Sequence, residues 1–237
     1  MHEQRSILVV DASASFIFYT AMMLKKLQYT VQSATSAKEA LSIIARSAPA
    51  VVITDSVLPG TSGLELLKQI KNNNSINFIP VIIHSSIADA WVKDESTQAG
   101  CDAFFCKPAS PEALFRAIQA ATEATPRRHI RIKTSLRARR GAEGGSPQPQ
   151  GTEEVTELSE EGFYLRTTLP APVGAIVPLT ILMRNHEIRV HAKVLYEAPK
   201  AGGVPGMGMK FTDLSASDRD HLREFIRQQV MSTIARD

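Results

Sequence analysis

Pro126-Arg-Arg-His-Ile-Arg-Ile-Lys-Thr-Ser-Leu-Arg-Ala-Arg-Arg140 separates two halves of the chain that have different sequence patterns. This basic stretch holds seven lysine and arginine residues and no acidic residue, and it lies near the middle of the 237 residues. Apolar runs alternate with helical patterns before it, whereas short strand-like segments separated by turn residues follow it. A cluster this basic suits a nucleic acid, a small anionic ligand or a solvated linker.

The composition is that of a soluble globular protein with two domains. Apolar residues make up 43% of the chain and charged residues 22%, and 237 residues can bury two separate cores. Residues 1–125 hold 10 basic and 11 acidic side chains, whereas residues 126–237 hold 17 basic and 13 acidic ones. The positive excess is therefore confined to the second half. Proteins that bind duplex DNA usually spread such charge along a face, so one short cluster suits a compact anion at least as well.

The N-terminal residues and the cysteines indicate the compartment. The apolar run Ser6–Val10 is followed directly by Asp11, which makes it too short for a signal peptide or a membrane span. We therefore expect a cytoplasmic protein without membrane insertion. Cys101 and Cys106 are the only cysteines, too few for a tetrahedral zinc site or a disulfide framework, and we expect both to be reduced.

Residues 1–125 contain five units of a strand followed by a helix. Strands are expected at Ser6–Val10, Thr30–Ala34, Ala50–Thr54, Pro80–His84 and Asp102–Cys106. Helices are expected after a cap at Ser13 or Ser15 and at Ser36–Arg46, Leu64–Ile70, Ala88–Ala99 and Pro111–Glu123. The apolar strands are typical of a parallel sheet buried on both faces. The pattern predicts an α/β, doubly wound sheet with its site at the carboxyl ends of the strands.

Few polar residues stand at those strand ends: Asp11, Asp55, Ser85 and Lys107. Because the carboxyl ends of parallel strands meet at one edge, two carboxylates, a hydroxyl and an ammonium group are expected to converge. Such a set suits formation of an acyl phosphate. The carboxylate attacks phosphorus, a divalent cation screens the charge, and the lysine and serine bind the transferred oxygens.

Residues 5–124 resemble the receiver domain of bacterial two-component response regulators. The likeness is carried by Leu8-Val-Val-Asp11, Asp55-Ser-Val-Leu-Pro59-Gly60, Gly63-Leu-Glu-Leu66, Ser85 and Lys107-Pro108. The resemblance implies that Asp55 is the phosphoacceptor and that Ser85, Phe104 and Lys107 form the receiver switch. It also implies a cis peptide before Pro108 and a histidine kinase as partner.

One departure from the family concerns its metal. Receiver domains carry two adjacent acids after the first strand, whereas this chain has Asp11 followed by Ala12. Alanine offers no ligand oxygen, so Mg²⁺ would keep only Asp11, Asp55 and the Val57 carbonyl. Two alternatives stay open at this point: phosphorylation of Asp55, or a pseudo-receiver that serves as a docking surface.

Residues 126–237 have an all-β pattern. Ile130, Ile132 and Leu136 alternate with charged residues, so part of the basic stretch is expected to be a strand, followed by a loop over Gly141–Gly151. Further strands are expected at Glu154–Leu158, Phe163–Thr168, Ile176–Met183, Glu187–Glu197 and Gly208–Phe211. Many short strands joined by turns predict a closed barrel. A final amphipathic helix is expected at Asp218–Ile234.

This half resembles the PilZ domain, a six-stranded barrel that binds the bacterial second messenger cyclic di-GMP. Arg127-Arg-His-Ile-Arg131 matches the family's Arg-x-x-x-Arg motif, and Glu157-Leu-Ser159-Glu-Glu-Gly162 matches its Asp/Asn-x-Ser-x-x-Gly motif with a glutamate at the first position. The resemblance implies a cyclic di-GMP site formed by Arg127, Arg128, Arg131, Glu157, Ser159 and Gly162.

The chemistry of this ligand agrees with these residues. Cyclic di-GMP carries two phosphodiester charges and two guanines, and arginine can bind a phosphate or the O6/N7 edge of guanine, or stack on the base. Ser159 and the carboxylate of Glu157 would complete recognition of the guanine edge. Gly162 is expected to form a turn that needs a positive φ.

Other classes of function fit poorly. No recognition helix or aromatic base platform accompanies the arginines, so we expect no nucleic-acid partner. The histidines share no metal-ligand spacing, and the chain has no catalytic triad or glycine-rich nucleotide loop, so we expect no enzyme.

The leading hypothesis is a two-component-type signalling protein of class α/β plus all-β. Residues 1–125 would form a receiver domain and residues 126–237 a PilZ domain, with 126–140 as the basic interdomain segment. Its expected partners are cyclic di-GMP, a histidine kinase and a downstream protein, and a homodimer is compatible with this set. The alternative is a non-enzymatic scaffold in which both domains are degenerate and act through protein contacts.

Overall fold

The computed structural model describes residues 6–141, 153–184, 186–198 and 205–231. The chain forms two compact units, one built from the residues before His129 together with Val230 and Met231, and the other from His129–Gln229. Most of the predicted loop (residues 142–151) and the predicted helix end at Ile234 lie outside the described residues. Among those that are described, no helix combines the length and apolar composition needed to cross a membrane.

The first unit is a five-stranded parallel sheet with a helix after each strand. Its strands are β1 (Ser6–Val10), β2 (Thr30–Ala34), β3 (Val51–Thr54), β4 (Val81–Ser85) and β5 (Ala103–Cys106). Its helices are α1 (Ala14–Lys26), α2 (Ala37–Arg46), α3 (Gly63–Lys71), α4 (Ala90–Gln98) and α5 (Pro111–Thr122). The strands lie in the order β2-β1-β3-β4-β5. The predicted doubly wound sheet is confirmed.

Local sequence explains these elements. All residues of β3 and β4 are buried, as expected of strands covered by helices on both faces. Four helices begin after a serine whose side chain accepts the backbone N–H three residues later; these caps are Ser13, Ser36, Ser62 and Ser110. The strand order reverses between β1 and β3, which opens a crevice at their carboxyl ends.

The second unit is a closed six-stranded antiparallel barrel followed by a helix. Its strands are β6 (Ile132–Arg140), β7 (Glu153–Leu158), β8 (Gly162–Arg166), β9 (Ile176–Leu182), β10 (Glu187–Ala198) and β11 (Gly206–Phe211). They lie in the order β10-β11-β8-β7-β6-β9, and pairing of β9 with β10 closes the barrel. Helix α6 spans Ala216–Met231. The predicted six-stranded barrel with a C-terminal helix is confirmed.

Three strands of the barrel contain a shift of register. The shifts lie in β6, β7 and β10, between Lys133 and Leu136, Val155 and Glu157, and Val194 and Tyr196. A β-bulge of this kind changes which side chains point outward beyond it. All three shifts border one cross-strand row of paired residues, here named the bulge row: Lys133, Glu157, Tyr164, Gly208 and Tyr196.

Candidate functional site

The polar strand-end residues of the first unit converge on the ammonium group of Lys107. Its Nζ lies 2.5 Å from Oδ2 of Asp55 and also hydrogen-bonds Oδ2 of Asp11. Both carboxylates are buried, with only 3% of Asp11 and 6% of Asp55 exposed. One lysine therefore neutralises part of the charge of two buried carboxylates, and desolvation makes that interaction stronger than it would be at the surface.

The remaining carboxylate oxygens also have donors. Oδ1 of Asp11 accepts the N–H of Ser13 at 2.8 Å. Oδ1 of Asp55 accepts the N–H of Val57 at 3.2 Å and lies 3.4 Å from the hydroxyl of Ser56. Each of the four carboxylate oxygens is thus engaged within the protein.

The side chains of this cluster offer Mg²⁺ fewer oxygen ligands than the family usually provides. An ammonium group already stands between the two carboxylates, and Ala12 has no oxygen with which to complete a coordination shell. Within the described ranges, no group of three or more histidine, cysteine or acidic residues is placed to hold a metal ion. The predicted set of Asp11, Asp55 and the Val57 carbonyl therefore stays a prediction.

Ser85 reaches this cluster through Ser56, which lies in the motif that begins at Asp55 but was not predicted to belong to the site. The hydroxyl of Ser85 lies 2.5 Å from the hydroxyl of Ser56 and accepts the N–H of Ile87 at 2.9 Å. Both serines are buried. The only sequence signal for Ser56 was its position directly after Asp55.

His84, the residue before Ser85, is also buried beside this cluster. Its Nε2 accepts the N–H of Ala109 at 3.1 Å, and its ring packs edge-on against Phe16, with 5.1 Å between ring centroids. Nζ of Lys107 lies 4.1 Å from the centroid of the Phe16 ring. Burial and, secondarily, the charge of Lys107 lower the pKa of His84 to about 4. His84 is therefore neutral at pH 7.

The other receiver residues lie in β5 and directly after it. Phe104 pairs with Ile83 of β4, is partly buried and packs against the core of the sheet. The peptide bond between Lys107 and Pro108 is cis, as the family resemblance implied.

In the second unit, Arg131 and Glu157 of the two motifs face each other. Nη1 of Arg131 lies 3.6 Å from Oε2 of Glu157, and their side chains are 43% and 37% exposed. Ser159 holds the turn that follows β7: its hydroxyl donates to the carbonyl of Gly162 at 3.0 Å and accepts the N–H of the same residue at 3.3 Å. The Arg131–Glu157 pair thus lies beside a turn whose backbone is held by hydrogen bonds of Ser159.

The prediction that Gly162 has a positive φ is wrong. The glycines with positive φ in the described chain are Gly60, Gly100, Gly141 and Gly174. Gly162 is instead required by a close approach of two strands, because a Cβ atom there would stand 2.1 Å from the carbonyl oxygen of Met209. The constraint is steric crowding against a neighbouring backbone rather than backbone conformation.

The two motifs are joined by residues that neither motif specifies. Nδ1 of His129 lies 3.4 Å from Oε1 of Glu160, and its Nε2 lies 3.4 Å from Oε1 of Glu161. Glu160 also accepts Nε of Arg223, on α6, at 2.6 Å. The sequence held two signals for these contacts. His129 lies between the arginines of the first motif, and the two acids lie between Ser159 and Gly162 of the second.

The two remaining arginines of the first motif lie between α5 and β6. Arg127 and Arg128 are both exposed. The backbone N–H of Arg127 donates to Oε1 of Gln119, on α5, at 3.0 Å.

The barrel carries two tyrosines near the second motif, although no aromatic residue lies beside the arginines of the first motif in the sequence. Tyr164 and Tyr196 both lie in the bulge row, and Tyr164 pairs directly with Glu157. Sequence reasoning missed this pair because the two tyrosines are far apart in the chain and come to flank Gly208 only through the register of three strands.

Comparisons with known proteins identify two families. One family model, the response regulator receiver domain, matches residues 7–119, and another, the PilZ domain, matches residues 125–228. The chain is 32% identical to Protein PilG of Pseudomonas aeruginosa over 114 residues, which is 48% of this chain and 84% of PilG. It is 29% identical to the phosphate regulon transcriptional regulatory protein PhoB of the same organism, over 51% of this chain and 53% of PhoB. The chain thus spans about half the length of PhoB.

The first half is also similar to solved structures. The receiver domain protein of Methanospirillum hungatei, described as CheY-like, is 26% identical with a TM-score of 0.48, and the match covers 51% of this chain and 95% of that one. The receiver domain protein of Clostridium thermocellum is 28% identical with a TM-score of 0.47, over 50% of this chain and 94% of that one.

Proposed function

The chain belongs to the response regulator receiver family over residues 7–119 and carries a PilZ domain over residues 125–228, and on this premise we propose that it is a two-component-type signalling protein that binds cyclic di-GMP. Receiver and PilZ domains are signalling and binding domains. The proposed activity is accordingly ligand and partner binding rather than catalysis.

The pair formed by Arg131 and Glu157 carries the proposal for the PilZ domain. The two side chains lie 3.6 Å apart and both remain partly exposed. A guanidinium group has five N–H donors, so Arg131 retains donors for the O6 and N7 acceptors of a guanine while it contacts Glu157. The carboxylate of Glu157 can accept from the N2 amino group on the other side of the same base. An arginine and an acid side by side therefore match both hydrogen-bonding edges of guanine.

The other motif residues have distinct proposed roles. Arg127 and Arg128 supply positive charge for the two phosphodiester groups, because arginine binds phosphate through paired N–H donors. Ser159 and Gly162 shape the turn next to Glu157. A longer acid than the family's usual aspartate or asparagine places the carboxylate one methylene further from the β7 backbone.

Isothermal titration calorimetry with cyclic di-GMP tests this proposal. We expect saturable binding to the full chain, and an at least tenfold weaker affinity for Arg131→Ala, because a hydrogen bond to a charged group contributes about 1.5–3 kcal/mol. The matched control is Arg139→Ala, which removes an exposed arginine of β6 outside the motif and should bind like the wild type. Absence of binding by the wild type up to about 100 µM, a limit of about 5–6 kcal/mol, rejects the proposal.

The receiver domain has two candidate roles. In one, a histidine kinase phosphorylates Asp55 and the switch residues Ser85, Phe104 and Lys107 respond. In the other, the domain is a docking surface for a downstream protein. The bridge from Lys107 to both carboxylates and the alanine at position 12 favour docking, because the ammonium group already offsets part of the carboxylate charge and the family's second acid is missing.

Acetyl phosphate in the presence of Mg²⁺, followed by intact-mass measurement, separates the two roles. Under the docking role the wild type stays unlabelled, whereas Ala12→Asp restores the second acid of the family and becomes labelled. Ala14→Asp adds the same charge at the start of α1 and should stay unlabelled. Labelling of the wild type that disappears in Asp55→Asn would instead establish phosphorylation.

A further inference from the structure

The bulge row lies on the outer face of the barrel. Met207 and Met209, the neighbours of Gly208 in β11, are 0% and 3% exposed and belong to the core. Because successive residues of a strand point to opposite faces, Gly208 faces outward. Its partners Tyr164 and Tyr196 flank it on the two adjacent strands.

The phenol ends of both tyrosines occupy space that glycines leave free. A Cβ atom at position 208 would stand 2.2 Å from Cε1 and 2.3 Å from Cζ of Tyr196. A Cβ atom at position 206 would stand 2.9 Å from Cε1 and from the hydroxyl oxygen of Tyr164. The end of each ring therefore lies against the backbone of β11.

Tyr196 nevertheless keeps 48% of its surface exposed. Its ring rests on a glycine on one side, and its exposed surface is a flat apolar area on which another planar group can stack. The neighbourhood of Tyr164 shows that this area adjoins the polar site: burial, followed by the nearby Tyr196 and Glu157, raises the pKa of the Tyr164 phenol. Tyr196 and Glu157 therefore both lie close enough to Tyr164 to affect the ionisation of its phenol.

The three register shifts are a second, independent observation. Bulges are over-represented at sheet edges, at the rims of barrels and next to active sites, where they redirect side chains. Here they border Lys133, Glu157 and Tyr196 in three different strands, at one level of the barrel. Three separate departures from regular pairing thus border the row that contains the acid of the second motif and both rings.

We propose that Tyr196 and Tyr164 form a stacking platform for a guanine base of cyclic di-GMP. In the bulge row, Glu157 stands between Lys133 on one side and the two tyrosines on the other. A base stacked on the tyrosines has its polar edge towards Arg131 and Glu157. Stacking on an aromatic ring tolerates any base, so the platform contributes affinity while the arginine and the acid select guanine. This inference rests on the proposed cyclic di-GMP binding and adds two residues to that site.

Two variants test the platform by different routes, each titrated with cyclic di-GMP by calorimetry. Tyr196→Leu removes the ring but keeps an apolar side chain. Gly208→Ala keeps the ring but displaces it, because the new methyl group takes the place of Cε1 and Cζ. We expect each to weaken binding about tenfold or more, equivalent to about 1.4 kcal/mol. The matched control, Leu195→Ala, removes a similarly exposed apolar side chain from the same strand outside the bulge row and should bind like the wild type.

The outcomes separate the platform from the proposed function. If wild type, Tyr196→Leu and Gly208→Ala bind equally, the platform is rejected and cyclic di-GMP binding stands. If the wild type does not bind, both are rejected. Thermal melts by circular dichroism show whether each variant is folded, and Tyr164→Phe, which retains the ring, should bind within about threefold of the wild type. A single-stranded RNA that displaces cyclic di-GMP and loses affinity in Tyr196→Leu would reassign the platform to nucleic acid and overturn the inference.

Discussion

The hydroxyl groups of Ser56 and Ser85 lie 2.5 Å apart in the buried interior of the receiver domain. The proposed switch hydroxyl is therefore already engaged by the residue that follows the proposed phosphoacceptor. Ser85 also accepts the N–H of Ile87, so its oxygen is held from two sides. Any group that binds Ser85 must displace Ser56 or share the hydroxyl with it.

A double-mutant cycle should detect this pair as an energetic coupling. We expect Ser56→Ala and Ser85→Ala to show a coupling free energy of about 1 kcal/mol, because each single variant breaks the same buried hydrogen bond. Urea denaturation followed by circular dichroism measures the free energy of unfolding of the four proteins. The control cycle combines Ser56→Ala with Thr97→Ala, whose hydroxyl bonds Lys93, and should be additive. Additivity in the serine cycle would show that the contact contributes nothing.

Removal of the ammonium group between Asp11 and Asp55 should strongly destabilise the receiver domain. Lys107→Met leaves two buried carboxylates without their cation, and breaking a buried ion pair from one side costs about 3–5 kcal/mol. Lys71→Met is the matched control, because the Lys71–Asp102 pair is more exposed, with side chains 22% and 34% accessible. Exposed pairs contribute about 0–1 kcal/mol. Equal losses in denaturation experiments on the two variants would contradict the structural role of Lys107.

The buried His84 should make the stability of the receiver domain depend on pH. Its pKa is about 4 in the folded protein and 6.5 as a free side chain, so the unfolded chain binds more protons between these values. The stabilisation is complete above pH 6.5 and is lost as the pH falls towards 4, by about 3 kcal/mol in total.

His84→Gln is the matched variant for this pH dependence, because it keeps an acceptor for the N–H of Ala109 but cannot titrate. Between about pH 7 and about pH 4.5, the free energy of unfolding measured by denaturation should fall less for the variant than for the wild type. Asp11, Asp55 and Lys107 also act on His84 and remain in both proteins, so their contributions cancel to first order. Parallel losses in the two proteins would show that His84 does not control the acid response.

Gly162→Ala should destabilise the barrel through crowding. Its new methyl group meets the carbonyl oxygen of Met209 at 2.1 Å, and overpacking of this kind costs about 1–3 kcal/mol. Gly174→Asn is the contrasting control: residue 174 has φ +89, but a Cβ atom there would meet no other atom within 4 Å, and asparagine tolerates positive φ. Thermal denaturation should therefore rank Gly162→Ala as the less stable protein. If Gly174→Asn were the less stable protein, crowding against Met209 would not explain the need for glycine at position 162.

Regular periodicity made the secondary structure predictable. The apolar runs of β1, β3 and β4 are buried on both sides, and serine caps mark the starts of four helices, so local sequence alone locates these elements. The meeting of Asp11, Asp55 and Lys107 also follows from strand ends in a parallel sheet. The aromatic pair in the barrel could not be inferred in this way. Its geometry depends on bulges in β7 and β10, which arise from the fit of neighbouring strands and leave no simple pattern in the sequence.

The detailed roles of the two motifs escaped prediction for a related reason. The ring of His129 lies 3.4 Å from carboxylate oxygens of two acids that are about thirty positions further along the chain, and only the folded barrel brings them together. Gly162 likewise seemed to need a special backbone conformation, whereas its neighbour across the β8–β11 ladder sets the constraint. Motif spacing identifies which residues matter, but the reason each one matters comes from its spatial neighbours.

Closure of the barrel limits how other proteins can recognise it. Pairing of β9 with β10 gives each of the six strands a hydrogen-bonded neighbour on both sides. Recognition by strand addition needs an unpaired sheet edge, and in the described part of this chain such edges belong to β2 and β5 of the parallel sheet. A protein that extends a sheet by one strand is thus directed to the receiver domain, whereas a partner of the barrel must recognise its side-chain faces.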